Sequence, residues 1–271
     1  MRIALFTGNY NHIKDGVSLT LNRLVRFLEG KGVEVLVVAP TIENPPMEHE
    51  GQLVPVPSIS IPGRPEYRFS LGLPSTVKRQ LEAFDPDIVH IATPDLLGLK
   101  ALRWARKRPV TLVATYHTHF PSYLKYYRLQ WLEGLVFGYL RWFYRHCRHL
   151  YVPAESMIET LRENGIGGEM RVWSRGVDTE LFSPAKRSDG WRERYGFRKS
   201  DILVTFVSRL VWEKNLELFA ETVISLKEKY PELRPLIVGD GPARMELEKM
   251  LPDAVYTGLL KGEELASAYA N

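Results

Sequence analysis

Short apolar runs alternate along the chain with longer stretches in which apolar residues recur every three to four positions. The runs are 3–7, 33–39, 88–92, 111–116, 150–153 and 171–173 in the first part, then 202–207, 235–238 and 255–257. Most are unbroken and rich in Val, Ile and Thr, as expected of strands covered on both faces of a parallel sheet. The segments 18–28, 75–84, 96–106, 123–146, 155–163, 216–230 and 244–250 carry helical spacing, and a last helix is expected from about Gly262. Strand and helix alternating in this way predict an α/β, doubly wound architecture. A polar stretch from Ser183 to Ser200 precedes a strong strand opening near Asp201. It divides the chain into an expected domain of residues 1–184, with about six strands, and a second of residues 185–271. The second holds only three strands and reads as incomplete.

Composition narrows the class. Of 271 residues, 45% are apolar and 25% charged, which fits a folded globular protein and excludes a disordered one. The net charge of +4 fits an anionic ligand or a membrane surface, and does not by itself argue for nucleic acid. Cys147 is the only cysteine, so an intramolecular disulfide and a cysteine-based zinc site are excluded. The longest apolar stretch, 132–144, is broken by Glu133 and Arg141, and no membrane span is expected. Met1 and Arg2 lead straight into the strand Ile3–Phe6, unlike a signal peptide, so the expected location is the cytosol.

In a doubly wound fold, ligands sit at the carboxyl ends of the strands, so the loops after the strands are the candidates for chemistry. The first loop, residues 8–16, ends in Gly16 beside a helix starting near Val17 and Ser18. Its free amides suit a phosphate, although a turn glycine before a capped helix would look the same. The loop lacks the glycine spacing of a dinucleotide fingerprint, which disfavours a nicotinamide enzyme. Strand 111–116 runs into His117 and His119, either hydrogen-bond partners of a substrate or residues with a structural role. A metal would need further ligands that do not accompany them. Arg209 and Lys214 follow the strand 202–207 at a strand-to-helix turn. They form a clamp for a diphosphate or a solvated surface with Glu213 between them. The turn Gly239-Asp240-Gly241-Pro242 serves either backbone geometry or close approach by a base or ribose.

Taken in order, Ser208-Arg209-Leu210, Glu213-Lys214-Asn215, Gly239-Asp240-Gly241-Pro242 and Tyr256-Thr257-Gly258-Leu259-Leu260 resemble the family-four retaining glycosyltransferases of the GT-B fold. Gly176-Val177-Asp178 through Pro184 resembles the link between the two domains of that family, and the Asp15-Gly16 loop and Thr115–Thr118 its N-terminal motifs. Within the family, residues 116–119 and 173–178 are most similar to GDP-mannose-dependent α-mannosyltransferases and sulfoquinovosyl-diacylglycerol synthase-like enzymes. The resemblance implies two Rossmann-like domains, the second incomplete here. It also implies transfer of a mannose- or glucose-type hexose, with retention, from a nucleotide diphosphate sugar bound in the cleft between them to a lipid or glycan.

By the same resemblance, Arg209 and Lys214 hold the leaving diphosphate, Gly16 and Val17 lie beside it, and His117 faces the donor sugar. Gly239, Asp240, Gly241, Leu259 and Leu260 lie near the nucleotide. No metal or other cofactor is implied. The family commonly has two glycines in the first loop, and Asp15 occupies one of these places. Its later Glu-x7-Glu motif would begin beyond Asn271, so the chain is expected to be impaired, with a non-catalytic nucleotide-binding fragment as the alternative. A sugar-nucleotide epimerase of the same shape is the other alternative, and would need cleft carboxylates that are not identified. Tyr123, Lys125, Tyr126 and Arg128 mix rings with cations, which suits an acceptor or membrane surface, such as the inner face of a membrane, or a helix packed on the domain. The expected partners are therefore a nucleotide sugar, a lipid or glycan acceptor and a membrane surface, without nucleic acid.

Overall fold

The computed structural model describes residues 1–61, 64–117 and 130–271. These residues divide into two compact units, Met1–Arg175 and Gly176–Asn271.

The first unit is built on a seven-stranded sheet of β1 (Arg2–Phe6), β2 (Glu34–Pro40), β3 (Gln52–Val56), β6 (Ile88–Ile91), β7 (Thr111–Thr115), β8 (His149–Val152) and β9 (Glu169–Val172). A hairpin of β4 (Ser58–Ile61) and β5 (Arg64–Ser70) stands apart from it. The helices are α1 (Gly16–Glu29), α2 (Ser75–Phe84), α3 (Leu96–Ala105), α4 (Glu133–Tyr144) and α5 (Glu155–Glu163). The sheet is parallel throughout, in the order β3-β2-β1-β6-β7-β8-β9.

That order turns back at β1. The chain leaves β1 toward β2 on one side and later builds β6 to β9 on the other. Right-handed crossovers therefore place α1 on one face of the sheet and α3, α4 and α5 on the opposite one. Two cores follow. Leu21 and Val25 of α1 pack with Ile3, Leu5, Val35 and Val37, whereas Leu81, Leu97, Leu102, Leu140 and Phe143 pack with Phe6, Leu36 and Val89. Alternate residues of β1 thus feed different cores, which is why the strand reads as an unbroken apolar run.

Helices predicted at 75–84, 155–163 and 244–250 are found there, and 123–146 contains α4. Strands β3, β4 and β5 are additional to the predicted set. The second unit has a parallel three-stranded sheet of β10 (Ile202–Val207), β11 (Leu233–Val238) and β12 (Val255–Gly258) in that order. Its helices are α6 (Asp189–Arg194), α7 (Leu216–Lys229), α8 (Arg244–Met250) and α9 (Gly262–Ala270). Helix α6 lies inside the stretch read as a polar boundary. Two of its residues, Trp191 and Arg192, are buried, and the Arg192 guanidinium donates to the carbonyls of Arg198 and Asp201.

Candidate functional site

The reversal of strand order sends the connections after β1 and β6 toward opposite faces of the sheet, the switch point at which ligands of this architecture sit. Gly8, just after β1, donates its amide to Thr93 Oγ1 at 2.9 Å, and that hydroxyl donates to Asp95 Oδ2 at 3.0 Å. Asp95 caps α3 by accepting from the amide of Gly98 at 2.8 Å. Burial raises the Asp95 carboxyl above its usual range, against the hydrogen bonds that lower it. A Cβ at Gly8 would come within 2.5 Å of Asp95 Oδ2, so the carboxylate would have to shift to admit one.

Gly16 is the first residue of α1 and is exposed, with Val17 half-buried behind it. Asp15 is the N-cap. Its Oδ1 accepts from Ser18 N at 2.8 Å and its Oδ2 from Asn9 Nδ2 at 2.9 Å. The aspartate therefore consumes one amide of the first turn and brings a negative charge to it. Among the described residues, the amides of Gly16 and Val17 have no acceptor. They remain available to an anion at the positive end of a 14-residue helix.

His117 lies two residues past the end of β7. Its ring meets the edge of Trp173 with centroids 5.6 Å apart, and its buried Nε2 has no hydrogen-bond partner among the described residues. Burial, then the charge of Arg175, then His90, push the imidazole down to about 3, so it is neutral at physiological pH. A neutral ring offers one donor and one acceptor. His90, beneath it on β6, is hydrogen-bonded to Thr115 Oγ1 and is held at about 4 by burial.

Arg175 was not singled out by residue type, yet it joins these parts. Its Nη2 donates to the main-chain oxygen of His117 at 2.9 Å. Its Nη1 lies 4.0 Å from the point a Cβ on Gly16 would occupy. The residue holds a left-handed φ of 72°, a conformation that costs a non-glycine side chain about 1 kcal/mol. Thr93 and Asp95 were missed as well. The signal that could have found them is the Thr-x-Asp spacing ahead of a helix, since Asp is a strong N-cap.

In the second unit, the loops after three neighbouring strands come together. Leu210 N donates to Asp240 O at 3.0 Å, Ala243 N to Leu210 O at 3.1 Å, and Gly239 N to Gly258 O at 2.8 Å. The approach is closest at the glycines: a Cβ on Gly239 would overlap the carbonyl of Ser208, and one on Gly241 that of Leu210. Arg209 and Lys214 are exposed on the first of these loops, Lys214 in the short turn Trp212–Lys214. Asp240 Oδ1 accepts from Gly241 N at 2.8 Å. Leu259 stands 68% exposed after β12, an uncovered apolar side chain suited to the flat face of a base, while Leu260 is half-buried. So the predicted residues of this unit share one rim. Tyr123, Lys125, Tyr126 and Arg128 lie outside the described residues. Among the described residues, no group of three or more His, Cys, Asp or Glu is placed to hold a metal, and no helix is long and apolar enough to cross a membrane.

Comparison with known proteins supplies the family. Residues 14–181 match the model of Glycosyltransferase Family 4, and residues 188–254 that of Glycosyl transferases group 1. The whole chain is 32% identical to a GDP-mannose-dependent alpha-mannosyltransferase of Corynebacterium glutamicum, covering 65% of that protein. It is 34% identical to the sulfoquinovosyl transferase SQD2 of Arabidopsis thaliana, covering 53% of it. The chain thus spans between half and two thirds of the length of these curated relatives. Among solved structures, sucrose-phosphate synthase from Thermosynechococcus elongatus matches 99% of the chain, and is itself covered to 72%, with a TM-score of 0.73 at 16% identity. That likeness, with the parallel sheets described above, gives the GT-B fold. With most of its residues inside one family model, the chain belongs to glycosyltransferase family 4.

Proposed function

We propose that this protein transfers a hexose, with retention, from a nucleotide diphosphate sugar to a lipid or glycan acceptor. The observation that carries the reading is the rim of the second unit, where Arg209, Lys214, Gly239, Asp240, Gly241 and Leu259 occupy the carboxyl ends of three adjacent strands. Departure of a nucleoside diphosphate builds negative charge on the terminal phosphate. Fixed cations stabilise that charge as it develops: Arg209 in a bidentate manner and Lys214 as a point charge. In the first unit, the amides of Gly16 and Val17 offer donors to an anion, and neutral His117 offers its Nε2 to a sugar hydroxyl. The chemistry assigned to these groups needs no metal or other cofactor.

GDP-mannose is the first donor to test, because the mannosyltransferases among the relatives are named for it, and UDP-linked sugars are the second. The experiment is thermal unfolding against GDP, UDP, GDP-mannose, UDP-glucose and NAD. A bound ligand at about 100 times its Kd stabilises by about 2.7 kcal/mol. The proposal expects a shift with one nucleotide family, lost in Arg209→Ala, together with donor-dependent transfer to lipid or glycan extracts. A shift with NAD alone, or none with any nucleotide, would sink it.

A further inference from the structure

Each of the two parallel sheets ends in two edge strands, and three of these four carry a feature that works against pairing with a further strand. Strand β3 has Pro55, and β9 places Glu169 and Arg171 on its short run. Strand β12 is four residues long, ends in Gly258 and opposes a register shift between Ile237 and Val238 of β11. Strand β10 has none of these. It runs Ile-Leu-Val-Thr-Phe-Val over Ile202–Val207, without charge, proline or glycine, and its register with β11 is unbroken.

Every residue of β10 is at least partly exposed, Ile202 to 49%, whereas five of the six in neighbouring β11 are buried. Among the described residues, no strand pairs with the second edge of β10. The register decides which main-chain groups that edge presents. Ile202 N donates to Glu232 O and Ser208 N to Val238 O, so the amides in step with them, of Val204 and Phe206, also face β11. Those of Leu203, Thr205 and Val207 face outward.

We propose that this edge pairs with the same edge of a second copy of the chain, about a twofold axis at Thr205. Such an axis makes the two strands antiparallel and the contact the same on both sides. Outward-facing residues must then oppose one another, and an axis at Thr205 gives the longest apolar overlap. Leu203 lies opposite Val207, both on the face of the sheet that packs with Trp191 of α6. Val204 lies opposite Phe206, both on the face that packs with Leu216 and Ala220 of α7. Aromatic and β-branched side chains opposed in this way are favourable pairs. Just past the strand, the same register sets Asp201 opposite Arg209, opposite charges at both ends of the contact. Moving the axis to Val204 sets Asp201 against Val207, and moving it to Phe206 sets Leu203 against Arg209. The contact lies within the second unit and is independent of the function proposed above.

The test is sedimentation equilibrium of the purified protein over about a hundredfold range of concentration, with amide exchange followed at both ends of the range. We expect a monomer–dimer equilibrium. The amides of Leu203, Thr205 and Val207 should slow in exchange as the dimer forms, while those of Val204 and Phe206 stay protected throughout. Thr205→Lys sets two like charges face to face at the axis, and Thr205→Pro removes the amide there without costing a bond to β11. Each should weaken the dimer by about fivefold or more, and Met245→Lys, at an exposed position of α8, should leave it unchanged. If both Thr205 variants unfold, the exchange pattern of the unaltered chain decides. A monomer at every concentration, or a dimer that both variants leave intact, would overturn the inference. So would a monomer whose Leu203, Thr205 and Val207 amides are already protected, since another strand of the same chain then holds the edge. Arg209 is unchanged in every variant, so nucleotide-induced melting shifts report on the donor site separately.

Discussion

Arg175 Nη2 and the main-chain oxygen of His117 are joined by a 2.9 Å hydrogen bond across 58 residues of sequence. The bond anchors the end of β7 to the end of the β9 segment and sets a guanidinium beside the amino end of α1. Removing the cation favours the protonated form of a nearby histidine, so in Arg175→Ala the His117 titration should move upward while burial still keeps it below the usual range. NMR titration of the His117 ring reads this directly. Arg175→Gly should show the same shift while recovering about 1 kcal/mol of backbone strain. An unmoved titration in both variants would show that the contact is not made in solution.

Acid should loosen the first unit in a defined window. His90 is held at about 4 by burial, against an ordinary 6.5. Its folded-state value is depressed, so the unfolded chain binds the proton first as pH falls. The stability is fully present above about pH 6.5 and is lost by about pH 4, amounting to about 3 kcal/mol for this group. His117 acts in the same direction. His90→Gln should flatten the dependence of urea midpoint on pH across that window, and an unchanged slope would count against burial of a neutral ring.

Asp15 has opposing effects on stability and on anion binding. Asp15→Ala removes the cap on Ser18 N and should cost about 1 kcal/mol. The same change frees a third amide and deletes a negative charge beside Gly16. Affinity for a nucleoside diphosphate should therefore hold or rise while the melting temperature falls. Calorimetric titration with GDP and UDP separates the two effects. A loss of affinity would mean that Asp15 itself serves the ligand.

Gly241→Ala should be costly although the residue is near the surface. The added Cβ meets the carbonyl of Leu210, a main-chain atom that cannot swing away. We expect a loss of about 2 kcal/mol or more in urea unfolding, and a weakened nucleotide-induced shift. A neutral substitution would show that the loops after β10 and β11 are not in contact. Gly167→Ala, which meets nothing within 4 Å, is the matched control.

Much of this was legible in the chain because its strands are buried on both faces. Ile3–Phe6 and Val35–Ala39 are apolar at every position, and the pattern has one reading. Strand β3 escaped notice because it is the edge of its sheet, carries Pro55 and has exposed positions among its buried ones. The β4–β5 hairpin buries little, so its Ser, Ile and Arg residues show no dominant face. Helix α6 is six residues long and buries an arginine, which reads as linker until the carbonyls that satisfy it are seen. At the candidate site, residue type and position after a strand nominate Arg209, Lys214 and Gly16. They could not find Arg175, whose role depends on a left-handed backbone and a partner far away in the chain.

The central position of β1 bears on how the chain comes into being. Residues 2–6 leave the ribosome well before residues 88–91, one of their two neighbours in the sheet. The other, residues 34–38, follows much sooner. Until the later strand emerges, an apolar strand keeps one hydrogen-bonding edge open, and every pairing that completes the sheet is parallel and long-range. Such closures are slow. The nascent first unit should therefore depend on chaperone protection until residues 88–91 have emerged, and slow synthesis before that point should raise the aggregated fraction.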